Sequence, residues 1–203
     1  MGKDWTGNKN SIFKTLGSST HAKGVRQAED YYATPPQAID RLIAHYKLPS
    51  YIWECAAGEG HLAKRLMDLG YNVFCTDIVD RGFDIVKRDF LKTNDTPFIN
   101  NYCILTNPPY KYATEFIEHA LEIIHYNQPV IMLLKTPALA GLDRFNRLYS
   151  KGYLEAIYQF TTRITCAKNG EFETYHKGGG SAVDYFWGVF RKNAAQPPKI
   201  YWV

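Results

Sequence analysis

The stretch YIWECAAGEGHLAKRLMDLG, Tyr51 to Gly70, decides the fold. YIWECA reads as a short strand, and EGHLAKRLMDL reads as a helix that Gly70 is placed to end. Gly58 and Gly60 form the turn between them. Downstream, YNVFCTDI is a second strand, FDIVKRDF a weaker third and NYCILTN a fourth. A helix follows with Phe116, Ile117, Ala120, Leu121 and Ile124 on one side. QPVIMLLK is nearly all apolar, which predicts a central strand, and LDRFNRLYSKG a short helix. LEAIYQFTTRITCAKNG and SAVDYFWGVFRK complete the sheet on either side of a Gly-rich loop. The alternation predicts an α/β fold, a mostly parallel sheet with helices on both faces.

Upstream, Thr34 and Gln37 have capping-box spacing with Pro35 at the first helical position, and Ile39, Leu42, Ile43 and Tyr46 mark a helix face. Residues 1–29 are rich in Gly, Ser, Thr, Asn and Lys and read as a loose arm. The remainder, 30–203, reads as one domain. The chain carries 24 Lys plus Arg against 20 Asp plus Glu, a net charge of +4 that permits a polyanionic partner without demanding one. Cys55, Cys75, Cys103 and Cys166 form no CxxC pair, and no His stands at ligand spacing from them. They read as buried reduced thiols rather than metal ligands or disulfides, so no metal is expected and a cytoplasmic setting is. No apolar run approaches membrane-spanning length, and no membrane association is expected.

Gly58-x-Gly60-x-x-Ala63, with Asp77 closing the next strand, formally satisfies the dinucleotide fingerprint. Charge argues against a dinucleotide. Glu54 ends the first strand four residues before Gly58, where a pyrophosphate would be repelled. S-adenosylmethionine has no phosphate and carries an ammonium and a sulfonium, so carboxylates near the turn suit it. Asp77 would accept from ribose hydroxyls and Asp89 from an adenine amine, with Ile78 and Phe90 beside the ring. His61, just after Gly60, has the place of a cofactor neighbour, but a helix-surface histidine is the preferred reading, and Trp187 and Trp202 read as core or packing residues rather than base platforms.

The fourth strand runs into Asn107-Pro108-Pro109-Tyr110 at the same carboxyl edge. An exocyclic amine conjugated to a ring or carbonyl is a poor nucleophile because its lone pair is delocalised. The Asn107 side-chain oxygen and the Pro108 carbonyl could accept its two N–H bonds and draw the nitrogen toward tetrahedral geometry. The prolines fix the carbonyl direction, and Tyr110 can stack on the planar group. Positioning and charge stabilisation then suffice, with no strong base or metal.

NPPY, ECAAGEG, CTDI and RDF resemble the successive motifs of S-adenosylmethionine-dependent amino-methyltransferases. They closely resemble the DNA adenine-N6 methyltransferases in which the cofactor motifs precede the catalytic one. The resemblance spans about residues 30 to 140. DYYATPP resembles that family's leading cofactor motif, which implies that Tyr32 and Thr34 help cover the methionine end. The resemblance also carries Ala56 and Asn107 into the cofactor site; Ala56 stands where many relatives have an aromatic residue. It implies a Rossmann-like class I fold, seven strands with the last antiparallel, a role that DYFWGVF fits.

The same signature occurs in enzymes acting on adenine in DNA, adenine in RNA and glutamine in proteins. DNA is the first expectation, RNA the second and protein glutamine the third. A non-catalytic subunit binding S-adenosylmethionine or nucleic acid, and an NAD-dependent oxidoreductase, are the readings from other classes. A base inside a duplex must be flipped out before Asn107 can reach it. The candidate grips are the arm, with Lys14, His21, Lys23 and Arg26, and a loop near 163–181 with Arg163, Lys168, His176 and Lys177 among Phe172 and Tyr175.

Overall fold

The structure is a computed structural model describing residues 32–164, 166 and 183–203. The predicted arm, Lys168, Phe172, Tyr175, His176 and Lys177 lie outside the described residues. Eight strands form one sheet in the order β3-β2-β1-β4-β5-β7-β6-β8. They are β1 (Tyr51–Glu54), β2 (Asn72–Asp77), β3 (Val86–Lys87), β4 (Tyr102–Thr106), β5 (Val130–Lys135), β6 (Leu154–Gln159), β7 (Tyr185–Phe190) and β8 (Lys199–Trp202). β1 to β5 pair in parallel, and β7 inserts antiparallel between β5 and β6. β8 runs parallel to β6 and adds an eighth strand beyond the seven predicted. Its KIYW run is short and follows two prolines, so it gives little periodic signal. Trp202 stands exposed on it rather than packed in the core.

Period-two alternation sorts each strand between two apolar layers. Ile52, Leu105, Ile131, Leu133 and Trp187 face one layer, where helices α1 (Gln37–Ile43) and α2 (His61–Asp68) contribute Ile39, Leu42, Leu62 and Leu66. Trp53, Ile104, Val130, Met132, Leu134 and Phe186 face the other, filled by Phe116, Ile117, Ala120 and Leu121 of α3 (Ala113–Ile123). Leu148 of α4 joins this second layer; α4 is a short turn, Leu142–Arg144, that widens into a π-helical turn, Phe145–Tyr149. β5 is central and buried, as its composition predicts. Trp187 donates from its indole to the Ala38 carbonyl at 2.8 Å, pinning α1 to the sheet.

Two local expectations change. Helix α1 starts after Pro36 with no side-chain cap, so the Thr34–Gln37 capping box does not form. Thr34 is instead buried at the edge of a cavity, and the Pro35 and Pro36 carbonyls receive the first helical bonds. The third strand shortens to two residues because the chain then turns through Asp89, whose carboxylate accepts from the Leu91 N–H at 3.2 Å. All four cysteines are buried and unpaired, and burial pushes the Cys75 thiol up to about 12. Among the described residues no helix is long and apolar enough to cross a membrane.

Candidate active site

Parallel pairing of β1 with β2 and β4 brings three strand ends to one edge of the sheet. A cavity of about 620 Å³ opens there, within the range of small-molecule sites. Ala57 and His61, on either side of the Gly turn, line it. Gly58 and Gly60 both hold positive φ, +56° and +76°. At Gly60 a Cβ would stand 2.4 Å from the Phe83 ring, so both conformation and contact require glycine. Asp77 braces the turn: its carboxylate accepts from the Gly58 N–H at 2.8 Å, from the Val79 N–H at 2.9 Å and from Arg81 at 3.3 Å. A carboxylate offers roughly four acceptor positions, so one is left for a ribose hydroxyl.

Glu54 is 1% exposed, and neither of its oxygens has a hydrogen-bond partner. Burial pushes its carboxyl up to about 8, and the Asp77 charge acts in the same direction. The Thr106 hydroxyl, also buried and without a partner, and the Ala56 backbone are near enough to oppose the rise, but neither completes a bond to the carboxyl. An unmatched buried carboxyl is costly. A ligand ammonium at this wall would compensate it, whereas a pyrophosphate would raise the cost.

Ile78 and Phe90 share the cavity wall with Asp89. Ile78 is exposed, a free apolar surface for a flat ring, while Phe90 is held edge-on by Trp53 at 5.3 Å and against Phe116 at 4.9 Å. Asp89 is partly committed, since its other oxygen pairs with Lys92 at 3.1 Å. Ala56 lines the cavity without filling it.

Asn107, Pro108, Pro109 and Tyr110 line the same cavity as Tyr32 and Thr34. The Asn107 amide donates from Nδ2 to the Tyr32 carbonyl at 3.0 Å, which orients the group. Its Oδ1 is buried with no partner, an acceptor held ready for an incoming donor. The Tyr110 ring lies 5.9 Å from Tyr32 and 6.0 Å from Tyr185, with the Lys135 ammonium 3.8 Å from its centroid. Its hydroxyl is buried without a partner, and burial holds the phenol well above its ordinary range. Every predicted cofactor and catalytic residue thus lines one cavity except Gly58 and Gly60, which stand in sequence between the lining residues Ala57 and His61.

Arg163 stands apart from that cavity, half-exposed and paired with Asp184 at 3.4 Å at the foot of β7. Lys168, His176 and Lys177 lie outside the described residues. His61 is a correction: it lines the cavity, with its imidazole partly buried and its pKa lowered by that burial. Its place one residue after Gly60, in the first turn of α2, was the available signal. Arg81 and Arg88 also line the cavity and were not singled out: Arg88 opens the RDF motif, whose reading fell on Asp89 and Phe90, and Arg81 lies in no quoted motif.

No protein-family model matches the sequence, and no curated protein matches it. Solved structures do. A Pyrococcus horikoshii protein assigned as an RNA methyltransferase superposes with TM-score 0.57 at 18% identity, over 90% of this chain and 98% of its own. A Listeria monocytogenes protein assigned as a class I S-adenosylmethionine-dependent methyltransferase gives 0.56 at 12%, over 96% and 72%. The modification subunit of a type I restriction enzyme, so assigned in Vibrio vulnificus, gives 0.56 at 10%, over 96% of this chain and half of that one. The chain has the class I methyltransferase fold. Within that fold β7 is the antiparallel strand, as predicted, and β8 extends the sheet past β6. At such identities the likeness is one of architecture.

Proposed function

We propose that this protein transfers a methyl group from S-adenosylmethionine to the N6 amine of adenine in DNA. The observation that carries the reading is the Asn107 side chain, tied by one atom to Tyr32 and presenting the other, without a partner, at the cavity wall. S-adenosylmethionine, when bound, supplies an electrophilic methyl on a sulfonium. The uncompensated Glu54 carboxyl suits its ammonium, the remaining acceptor position of Asp77 its ribose, and Asp89, Ile78 and Phe90 its adenine. Tyr32, Thr34 and Ala56 border the methionine end, and Gly58 and Gly60 let the backbone approach.

The acceptor amine donates its two hydrogens to Asn107 Oδ1 and the Pro108 carbonyl. Both bonds strengthen as positive charge develops on nitrogen, so they favour the transition state over the ground state. Pro108 and Pro109 fix the direction of the carbonyl, and Tyr110 offers its ring to the base. No group of this chain needs to abstract a proton before attack; the methylated amine sheds its extra proton to water afterwards.

DNA is preferred on the resemblance of DYYATPP and NPPY to the adenine enzymes, and the Vibrio modification subunit is consistent with it. Residues 30–203 then act as one methyltransferase domain, in the cytoplasm, with Arg163, Lys168, His176 and Lys177 gripping the backbone. Nucleoside mass spectrometry tests the reading, on DNA and RNA from a host without adenine methylation that expresses the protein or Asn107→Ala. N6-methyladenine in DNA, reduced by about a hundredfold or more in the variant, is expected. A gain confined to RNA would transfer the reading to RNA, and no gain in either would overturn it.

A further inference from the structure

The connection that leaves the carboxyl end of β5 is held rigidly yet shows apolar side chains to solvent. Leu139 is 37% exposed, Leu142 76% and Phe145 52%. Leu142 and Phe145 are three residues apart across the first turn of α4, hence neighbours on its surface. The backbone beneath them is braced by Arg144, which donates to the Ala138 carbonyl at 3.0 Å, the Ala140 carbonyl at 2.9 Å and Thr114 at 3.1 Å. The Tyr149 hydroxyl adds a bond to the Ala138 carbonyl at 2.8 Å, and Thr136 is tied to the Asp184 carbonyl.

These anchors fix the segment beside the site described above. At its root, Lys135 sits on the Tyr110 ring; through Arg144 it is bonded to Thr114, four residues after Tyr110. Arg147 is shared by Glu115, Glu118 and Asp143, and Arg163 pairs with Asp184. Lys111 and Lys135 place positive charge beside Tyr112 and Tyr110. The result is a pre-ordered apolar ridge next to the proposed seat of the target base, with the positive charge of Lys135 at its root.

We propose that Leu142 and Phe145 form a wedge that enters a double-stranded nucleic acid and fills the space left by the extruded adenine. Apolar side chains inserted at a base step offset the lost stacking, and a ridge already braced loses little conformational freedom on insertion. The proposal rests on the adenine-methyltransferase reading.

The test follows tritium transfer from S-adenosylmethionine to genomic DNA from a host without adenine methylation, supplied native or heat-denatured. The variants are Leu142→Ser/Phe145→Ser and, as a conservative control, Leu142→Met/Phe145→Leu. The serine variant is expected to lose at least about tenfold in kcat/KM on native DNA, while staying within about twofold on denatured DNA. Its affinity for S-adenosylmethionine should be unchanged, and the conservative variant should retain native-DNA activity. Equal loss on both forms, or no loss on native DNA, overturns the wedge alone. Wild-type transfer to denatured DNA only also overturns it, because no base then needs extrusion. Wild-type transfer to neither form overturns the underlying reading and the wedge with it.

Discussion

Replacing Glu54 by glutamine probes the electrostatics of the cavity through its coupling to protons. Burial raises the Glu54 carboxyl from an ordinary value of 4.5 to about 8. Below pH 4.5 the group is protonated whether the chain is folded or not, and it contributes no pH dependence. As pH rises from 4.5 toward 8 the unfolded chain ionises first, so the folded state of the free protein loses stability. At ~1.4 kcal/mol per pH unit, the full span is worth at most about 5 kcal/mol. Glu54→Gln should flatten that slope and raise the free protein's stability near pH 7.5. Ligand binding runs the other way. With a value near 8, about one-tenth of the groups are ionised at pH 7, and an ammonium ligand selects that fraction. Binding of S-adenosylmethionine should release about 0.9 proton at pH 7 and tighten about tenfold between pH 6 and 7. The ligand's own amine stays charged in that window. Calorimetric titration in two buffers of different ionisation enthalpy reads the proton release directly. In Glu54→Gln the release should vanish, with affinity at least about tenfold weaker at pH 7. Flat wild-type affinity from pH 6 to 7 with no net proton release would refute the reasoning.

Asp77→Asn removes the charge facing Arg81 and one of the two acceptor oxygens that brace Gly58 and Val79. It should destabilise by about 1–3 kcal/mol, seen in calorimetry as a fall of roughly 2–4 °C in Tm per kcal/mol. Gly60→Ala forces a side chain onto positive φ and into the Phe83 ring, at a cost of about 1–3 kcal/mol. Combining it with Phe83→Ala should recover the stability lost to the clash beyond the cost of Phe83→Ala alone. About 1–2 kcal/mol of backbone strain should remain, measurable by urea denaturation.

The strand ends were legible because their signal is local. Glu54, Asp77 and Asn107 each follow an apolar run, and parallel pairing then has to gather them at one edge. Local signals also misled. Thr34 has the spacing of a cap, but the chain enters α1 from the cavity side and draws it away from the helix end. Other features depend on partners distant in sequence. Tyr32 holds the Asn107 amide from 75 residues away, and Arg144 meets Thr114 from 30. No window of the sequence contains both members of either pair. The exposed ridge of Leu142 and Phe145 reads in sequence as an ordinary apolar helix face, and only its accessibility in the fold distinguishes it.

The insertion of β7 between β5 and β6 imposes an order on the birth of the molecule. β6 has no hydrogen-bonded neighbour that precedes it in the chain; its partners are β7 and β8, both synthesised later. β1 to β5 pair only among themselves until then, and among the described residues those lining the cavity belong to positions 32–116. When β1 to β5 have been synthesised, the edge of β5 therefore stays free until a strand 50 residues downstream of Lys135 arrives. That edge is the stretch most exposed to mispairing during synthesis. Ligand present at that stage would stabilise the first half before the second exists.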